Sequence, residues 1–308
     1  MTEDGTTECC RWRSIADLLG DHPNARLAIL GAPLNEKSLT PGRCDLAPGV
    51  VRQTLKRLST YDLESGTELG DVRIHDAGDV FCKVRTPEAL FAPIRDAVAA
   101  LTGRHDLTLL LGGNNAVTRP GAHGLGLPLA KIGLITLDAH FDLRDTDCGL
   151  TNGNPVRALL EDGLPGANIC QIGLAPFANT TRMHAVARTA GIGIFTAGDV
   201  KRSGIQAILE EALTRLAGCE AIMVDFDIDV IDRAQLPGAP GARPGGMPAD
   251  MFFQAARWLG RNAKVRLVDL TEFDPSLDVA EISALTAARW LAEVVTGFGG
   301  RPRAQHQN

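Results

Sequence analysis

The feature that most constrains this chain is a rhythm. Short runs of Ile, Val and Leu are each followed by a Gly-rich or polar turn and then by a stretch of helical character. Eight such runs, at 26–30, 72–77, 107–111, 132–137, 168–172, 192–196, 221–225 and 265–270, predict strands. The stretches 48–56, 87–102, 154–161, 182–190, 203–217, 248–260 and 281–296 predict the helices between them. Strands separated by helices pair in parallel, because a crossover of a dozen or more residues returns the chain to the same edge. The runs are continuously apolar rather than alternating, so the sheet is covered on both faces. The expected fold is α/β: a three-layer helix/sheet/helix sandwich around a central, mostly parallel sheet of about eight strands. Ligands of such sheets gather beyond the carboxyl ends of the strands.

A chain of 308 residues with 44% hydrophobic and 22% charged residues can bury a large core without disulfides or a structural metal. No linker or repeat interrupts the pattern. A single domain over 1–308 is therefore expected, with 1–24 as an N-terminal extension and 299–308 as a frayed tail. The formal charge of −6 gives no global pull toward nucleic acid. No apolar run approaches the roughly 20 residues of a membrane-spanning helix. Residues 1–13 carry acids and no apolar core, unlike a signal peptide, so a cytoplasmic location is expected. The seven cysteines have no CxxC pairing, which points to free thiols rather than a zinc ribbon or a disulfide framework.

The chemistry lies at two strand ends. After 132–137 come Asp138, His140 and Asp142, an imidazole between two carboxylates. After 221–225 come Asp225, Asp227 and Asp229, with Asp232 beyond. Alternate residues of an extended strand share a face, so these acids would repel one another unless a metal or protons neutralised them. Carboxylate and imidazole donors suit Mn²⁺ or a similar borderline-hard ion, and two such ions about 3.5–4 Å apart activate water for hydrolysis.

With these residues the chain resembles the ureohydrolase family of arginases, agmatinases and formimidoylglutamases, over nearly its whole length. Asp138-Ala139-His140-Phe141-Asp142 is similar to the family's DAHxD motif. Asp227, Asp229 and Asp232 with Pro237-Gly238 and Gly246 resemble its SxDxD…PG…G signature. Gly31-Ala32-Pro33, the Pro48 helix start and Ala77-Gly78-Asp79-Val80 are weaker matches. The resemblance implies two Mn²⁺ ions, with Asp138 and Asp227 bridging, His140 and Asp229 completing one site and Asp142 belonging to the other. Glu272 would bind the cationic nitrogen of an amidine or guanidine. Trimers or hexamers are usual in the family, so a homo-oligomer is expected.

The chain also departs from the pattern. Asn115 stands where the family's GGDHS segment supplies a histidine ligand, and Asn152 replaces a histidine in its SHGTPFR loop. An amide is a weaker donor than imidazole to such an ion, so one ion should be held loosely. Asn152 cannot shuttle a proton near neutral pH. Asp225 stands where the signature has Ser. The stretch 171–178 lacks the charge with which arginases hold an amino acid, whereas Arg119, Arg144 and Arg157 follow the three loops and suit a dicarboxylate. Resemblance thus favours formimidoylglutamase, an enzyme of histidine degradation that turns N-formimidoyl-L-glutamate and water into L-glutamate and formamide. The assignment makes Glu272, Asp142 and Asn152 catalytic. It makes Asp138, His140, Asp142, Asp227, Asp229 and Asn115 metal ligands, and Arg119, Arg144, Asn152, Arg157 and Glu272 the substrate-binding set. Alternatives are an agmatinase or guanidino-acid hydrolase that releases urea, and a non-catalytic relative that only binds.

Overall fold

A computed structural model describes residues 12–81 and 85–301. Its strands are β1 (Leu19–Gly20), β2 (Leu27–Ala32), β3 (Tyr61–Asp62), β4 (Thr67–Glu68), β5 (Ile74–Asp79), β6 (Leu107–Gly112), β7 (Ile132–Leu137), β8 (Ile169–Leu174), β9 (Gly193–Thr196), β10 (Ala221–Asp227) and β11 (Val265–Thr271). Among the described residues nine of them form one sheet in the order β1-β5-β2-β6-β11-β10-β7-β8-β9, and β3 pairs with β4 as a small hairpin. Every pairing in the large sheet is parallel. The eight strands expected from the sequence are all present, and β1 adds a short ninth at the edge. Its two residues have no hydrophobic run to announce them.

The helices are α1 (Ala47–Thr54), α2 (Pro87–Thr102), α3 (Thr118–His123), α4 (Pro155–Glu161), α5 (Thr181–Ala190), α6 (Ala197–Ser203), α7 (Ile205–Arg215), α8 (Ala249–Arg261) and α9 (Ile282–Gly299). Local chemistry explains their ends. Thr86 caps α2 by accepting from the Ala89 amide at 3.3 Å, with Pro87 in the first turn. The helix expected over 203–217 is α7, which starts after Gly204 at φ 79°; that glycine separates it from α6, a helix the pattern did not predict. α3, which contains Pro120 and Gly121, was too short and too poor in helix formers to show in the pattern.

Strands β2, β6, β7, β8 and β10 are buried at every residue, as continuous apolar runs require. One core layer includes Trp290 of α9 and Phe252 of α8, both packed edge-on against Phe226 of β10 with centroids 5.4 Å apart. The other includes Ile94 and Val98 of α2 against β2 and β6.

The terminal segments are more engaged than expected. Ile15 and Leu18, in the segment taken as an extension, are fully buried. In the expected tail, Gly299 closes α9, and the Arg301 guanidinium is buried, donating to the Gly260 and Val265 carbonyls at 2.6 and 2.9 Å. The remainder of that tail, 302–308, lies outside the described residues. Cys44, Cys148, Cys170 and Cys219 are free thiols; Cys9, Cys10 and Cys82 lie outside the described residues.

Candidate active site

Four neighbouring strands at the centre of the sheet, β6, β11, β10 and β7, end beside one another, the last three in the loops that carry the acids and β6 in the loop that carries Asn115. The crossing is tight. A Cβ on Gly113 would lie 1.8 Å from the Leu34 carbonyl oxygen, and one on Gly241 would lie 1.9 Å from Asp229 Oδ2. Asp142 and Glu272 hold φ of 51° and 62°, a left-handed conformation that costs a non-glycine residue on the order of 1–3 kcal/mol and is seldom kept without a use.

Asp138, His140 and Asp229 converge: one ligand atom from each lies within 4.8 Å of the others. His140 Nδ1 is 3.3 Å from Asp138 Oδ1 and 3.0 Å from Asp229 Oδ2. The expectation that Asp229 follows Asp225 and Asp227 along one strand face is corrected. β10 ends at Asp227, and Asp229 sits in the 3-10 turn Ile228–Val230, whose start the Asp227 carboxylate caps by accepting from the Asp229 amide at 2.9 Å. Asp232 is drawn into its own loop, accepting from Ala234 and Gly245 amides.

The electrostatics are those of crowded acids. Burial, then the charge of Asp229, raises Asp138 to about 7. Burial and neighbouring carboxylates likewise push Asp142 and Asp227 well above the usual carboxylate range. Burial disfavours the imidazolium of His140, yet the Asp229 and Asp138 carboxylates outweigh it and push the ring up to about 12. Asp138 Oδ2 is buried with no hydrogen-bond partner. An unpartnered oxygen among oxygen and imidazole donors fits a divalent cation, which would relieve the repulsion.

Beside this triad, Glu272 Oε1 accepts from the Asn115 backbone amide at 2.7 Å and from Asn152 Nδ2 at 3.0 Å. Asn152 Oδ1 in turn accepts from the Leu39 amide at 2.9 Å. Glu272 is raised to about 7, chiefly by burial, with the two hydrogen bonds opposing. The Asn115 side chain, expected as a metal ligand, reaches Asp142, donating from Nδ2 to Oδ2 at 2.6 Å.

The cleft above these groups, of about 140 Å³, has room for a small molecule. Two arginines line it, Arg144 and Arg243. Among the described residues neither forms an ion pair; Arg243 donates to the Gly241 carbonyl at 2.7 Å. Arg119 and Arg157, expected to bind substrate, do not line it. Arg119 is clamped bidentately by Asp162 at 2.6 and 2.8 Å, and Arg157 is held by Glu161 at 2.6 Å. Both sit on helices whose neighbouring acids satisfy them locally. Sequence proximity to the loops could not reveal that.

Three groups escaped the sequence reading. Arg243 lies between Pro237-Gly238 and Gly246 of the signature, but nothing in the motif itself marks it as facing the cleft. Asp269 lies opposite Asp225 in the register of β11 on β10, a pairing that requires the strand order. Thr118 and Thr271 are ordinary threonines until that order places them together.

Comparison with known proteins bears on this geometry. The family model described as the arginase family matches residues 25–297. Formimidoylglutamase of Halalkalibacterium halodurans is 33% identical over 274 residues, covering 87% of this chain and 86% of that protein. The Bacillus subtilis formimidoylglutamase is 30% identical over 276 residues, covering 88% and 86%. The crystal structure of formimidoylglutamase from Bacillus subtilis superimposes with a TM-score of 0.91 at 27% identity, over 98% of this chain and 97% of that one. A Trypanosoma cruzi formiminoglutamase solved with Mn²⁺ shares the fold at a TM-score of 0.84 and 24% identity, over 90% and 95%.

Proposed function

The chain belongs to the arginase family, and from that premise we propose that it is a metal-dependent formimidoylglutamase, hydrolysing N-formimidoyl-L-glutamate to L-glutamate and formamide. The observation that carries the reading is the set of buried carboxylates at the carboxyl ends of the central strands with a single imidazole among them. Asp138, His140 and Asp229 would hold one divalent ion, Mn²⁺ by the chemistry of the donors, with Asp227 and Asp142 available to a second. Such ions supply Lewis acidity and make water nucleophilic at neutral pH.

The protein's own side chains do the rest. An amidinium is planar and cationic, and Glu272 presents a carboxylate that the Asn115 amide and Asn152 hold in one orientation. Asn152 therefore acts here by positioning Glu272. The substrate carries two carboxylates, and the cleft carries two guanidinium groups without ion-pair partners, Arg144 and Arg243. Attack of water at the formimidoyl carbon breaks its bond to the glutamate nitrogen. That nitrogen leaves protonated, with formamide as the other product. Stretch 171–178 offers no charge to an amino-acid end, so recognition of the two carboxylates falls to the arginines.

The homologous formimidoylglutamases support the substrate. A weaker second ion at Asn115, a trimer or hexamer, a cytoplasmic location and a role in histidine degradation belong to the same proposal, on the strength of the family resemblance. Among the described residues no helix is long and apolar enough to cross a membrane. The test is NMR detection of products after Mn²⁺-supplemented protein is incubated separately with formimidoylglutamate, agmatine, arginine and guanidinobutyrate. Formamide with glutamate is expected. Urea from any guanidine, or no product from any tube, would refute the assignment.

A further inference from the structure

Behind Asn115 lies a buried polar network. Thr118 Oγ1 is 2.8 Å from Asn115 Oδ1 and 3.0 Å from Asp269 Oδ2; Thr271 Oγ1 is 3.2 Å from Asn115 Oδ1 and 3.4 Å from Asp225 Oδ1. Thr118, Thr271, Asp225 and Asp269 are all fully buried. Each hydroxyl has one hydrogen to give and lies between two oxygens, so it donates to one and cannot also donate to the other.

The two aspartates decide which. They sit opposite each other in the register of β10 on β11. Their other oxygens, Asp225 Oδ2 and Asp269 Oδ1, are buried with no further partner. A carboxylate oxygen is a stronger acceptor than an amide oxygen, so the oxygens turned toward the threonines, Asp269 Oδ2 and Asp225 Oδ1, take their hydrogens. Both hydroxyls then donate to the aspartates, and their lone pairs face the Asn115 amide. An amide NH₂ has two donors, one for each hydroxyl.

We propose that Thr118 and Thr271, backed by Asp225 and Asp269, are positioning residues that accept the Asn115 NH₂ group and turn its carbonyl oxygen toward Asp142, so that the two oxygens together hold a cation. The inference rests on the metal-dependent reading above. In the structure Oδ1 faces the two hydroxyls and Nδ2 faces Asp142, an orientation in which the hydroxyls must give their hydrogens to the amide instead of to the aspartates. With Nδ2 toward Asp142 the amide donates to the carboxylate at 2.6 Å. With Oδ1 there, two oxygens face each other, an arrangement that only a cation or the carboxyl's own proton can bridge. The ion and the cradle thus select the same orientation. The Ser-to-Asp departure at Asp225 acquires a role: with Asp269 it backs an acceptor wall for the two hydrogens of an amide ligand, where an imidazole ligand has only one N–H to place.

The test is calorimetric titration of metal-stripped, full-length protein with MnCl₂, comparing wild type with Thr118→Val, Thr118→Ser and Thr271→Val, and repeating Thr118→Val in an Asn115→His background. Wild type is expected to take two Mn²⁺ ions of unequal affinity. Thr118→Val and Thr271→Val should weaken the looser step about 10-fold or more, on the scale of lost support behind a metal ligand, and leave the tighter step within twofold. Thr118→Ser should keep the wild-type isotherm, and in the Asn115→His background, with one N–H to place instead of two, Thr118→Val should weaken the looser step clearly less than in the wild type. Valine variants that match wild type, or an equal loss in the histidine background, would overturn the inference. A wild-type chain that binds only one Mn²⁺ would overturn it as well. One that binds none would overturn the metal reading and the inference with it.

Discussion

The two ends of the central sheet treat buried charge in opposite ways. At the amino end several charged side chains have partners close by. Arg257 donates to Glu293 at 2.6 Å and to Asp62 at 2.9 Å, Arg26 pairs with Asp106 at 2.6 Å, and Arg266 donates to the Thr102 and His105 carbonyls. At the carboxyl end Asp138, Asp142, Asp227, Asp229 and Glu272 are buried with one imidazole and, among the described residues, no lysine or arginine paired to them. Charge that its neighbours neutralise is structural. Charge that they leave uncompensated raises the energy of the fold and persists only where a ligand repays it.

That contrast can be broken by substitution, beginning with the largest effect. Glu272→Gln keeps the shape and the hydrogen-bond reach but removes the charge facing an amidinium. kcat/KM for formamide release should fall at least ~100-fold, as when one group that stabilises developing charge is lost, with the melting temperature unchanged or higher. At the other end, Glu293→Ala leaves Arg257 half-buried without its closest partner. Chemical denaturation should show a loss of about 3 kcal/mol, and KM and Mn²⁺ affinity should stay within twofold.

The arginines sharpen the contrast within the carboxyl end itself. Arg144→Ala should raise KM for formimidoylglutamate about 10-fold with kcat nearly constant, the pattern of lost uniform binding. Arg119→Ala, which breaks the pair with Asp162, should leave KM unchanged and cost no more than about 1 kcal/mol in stability. Steady-state kinetics on both variants separates the two kinds of arginine.

A smaller effect should appear in the metal-stripped protein. Asp138→Asn removes one of the repelling acids, so its melting temperature should rise by about 2 °C, equivalent to ~1 kcal/mol. Mn²⁺ should stabilise the wild-type chain and fail to stabilise the variant.

The smallest concerns pH. Burial opposes it, but hydrogen bonds from Arg119 and His123 win and hold the Asp162 carboxyl below its ordinary range. A carboxyl depressed in the folded state stabilises above its unfolded value, near about 3.9, and loses that contribution as pH falls through the folded value. Asp162→Asn should therefore flatten the acid limb of the stability curve by less than about 1 kcal/mol, seen in melting curves between neutral pH and pH 3. No change in the limb would show the pair to be inert.

Much of this architecture was legible in the residues. Continuous apolar runs located eight strands of the sheet, and the acids after β7 and β10 located the site, because both depend on local pattern alone. Asp229 was found for a reason that the turn at Ile228–Val230 corrects, since hydrophobic periodicity does not report where a strand stops. Arg119 and Arg157 were misjudged because a salt bridge 43 residues away, or one helical turn along, leaves no mark near a motif. Arg243 and the Asp225–Asp269 pair were invisible because they depend on which strands and loops become neighbours. Local chemistry is written in order along the chain; partnership is written only in the fold.

The most direct test of the central claim is the rate of formamide release from formimidoylglutamate by protein stripped with a chelator and then titrated with Mn²⁺. The account predicts no turnover in the stripped protein and saturable recovery as Mn²⁺ is added. Turnover that ignores the metal, or none at any Mn²⁺ concentration, would contradict it.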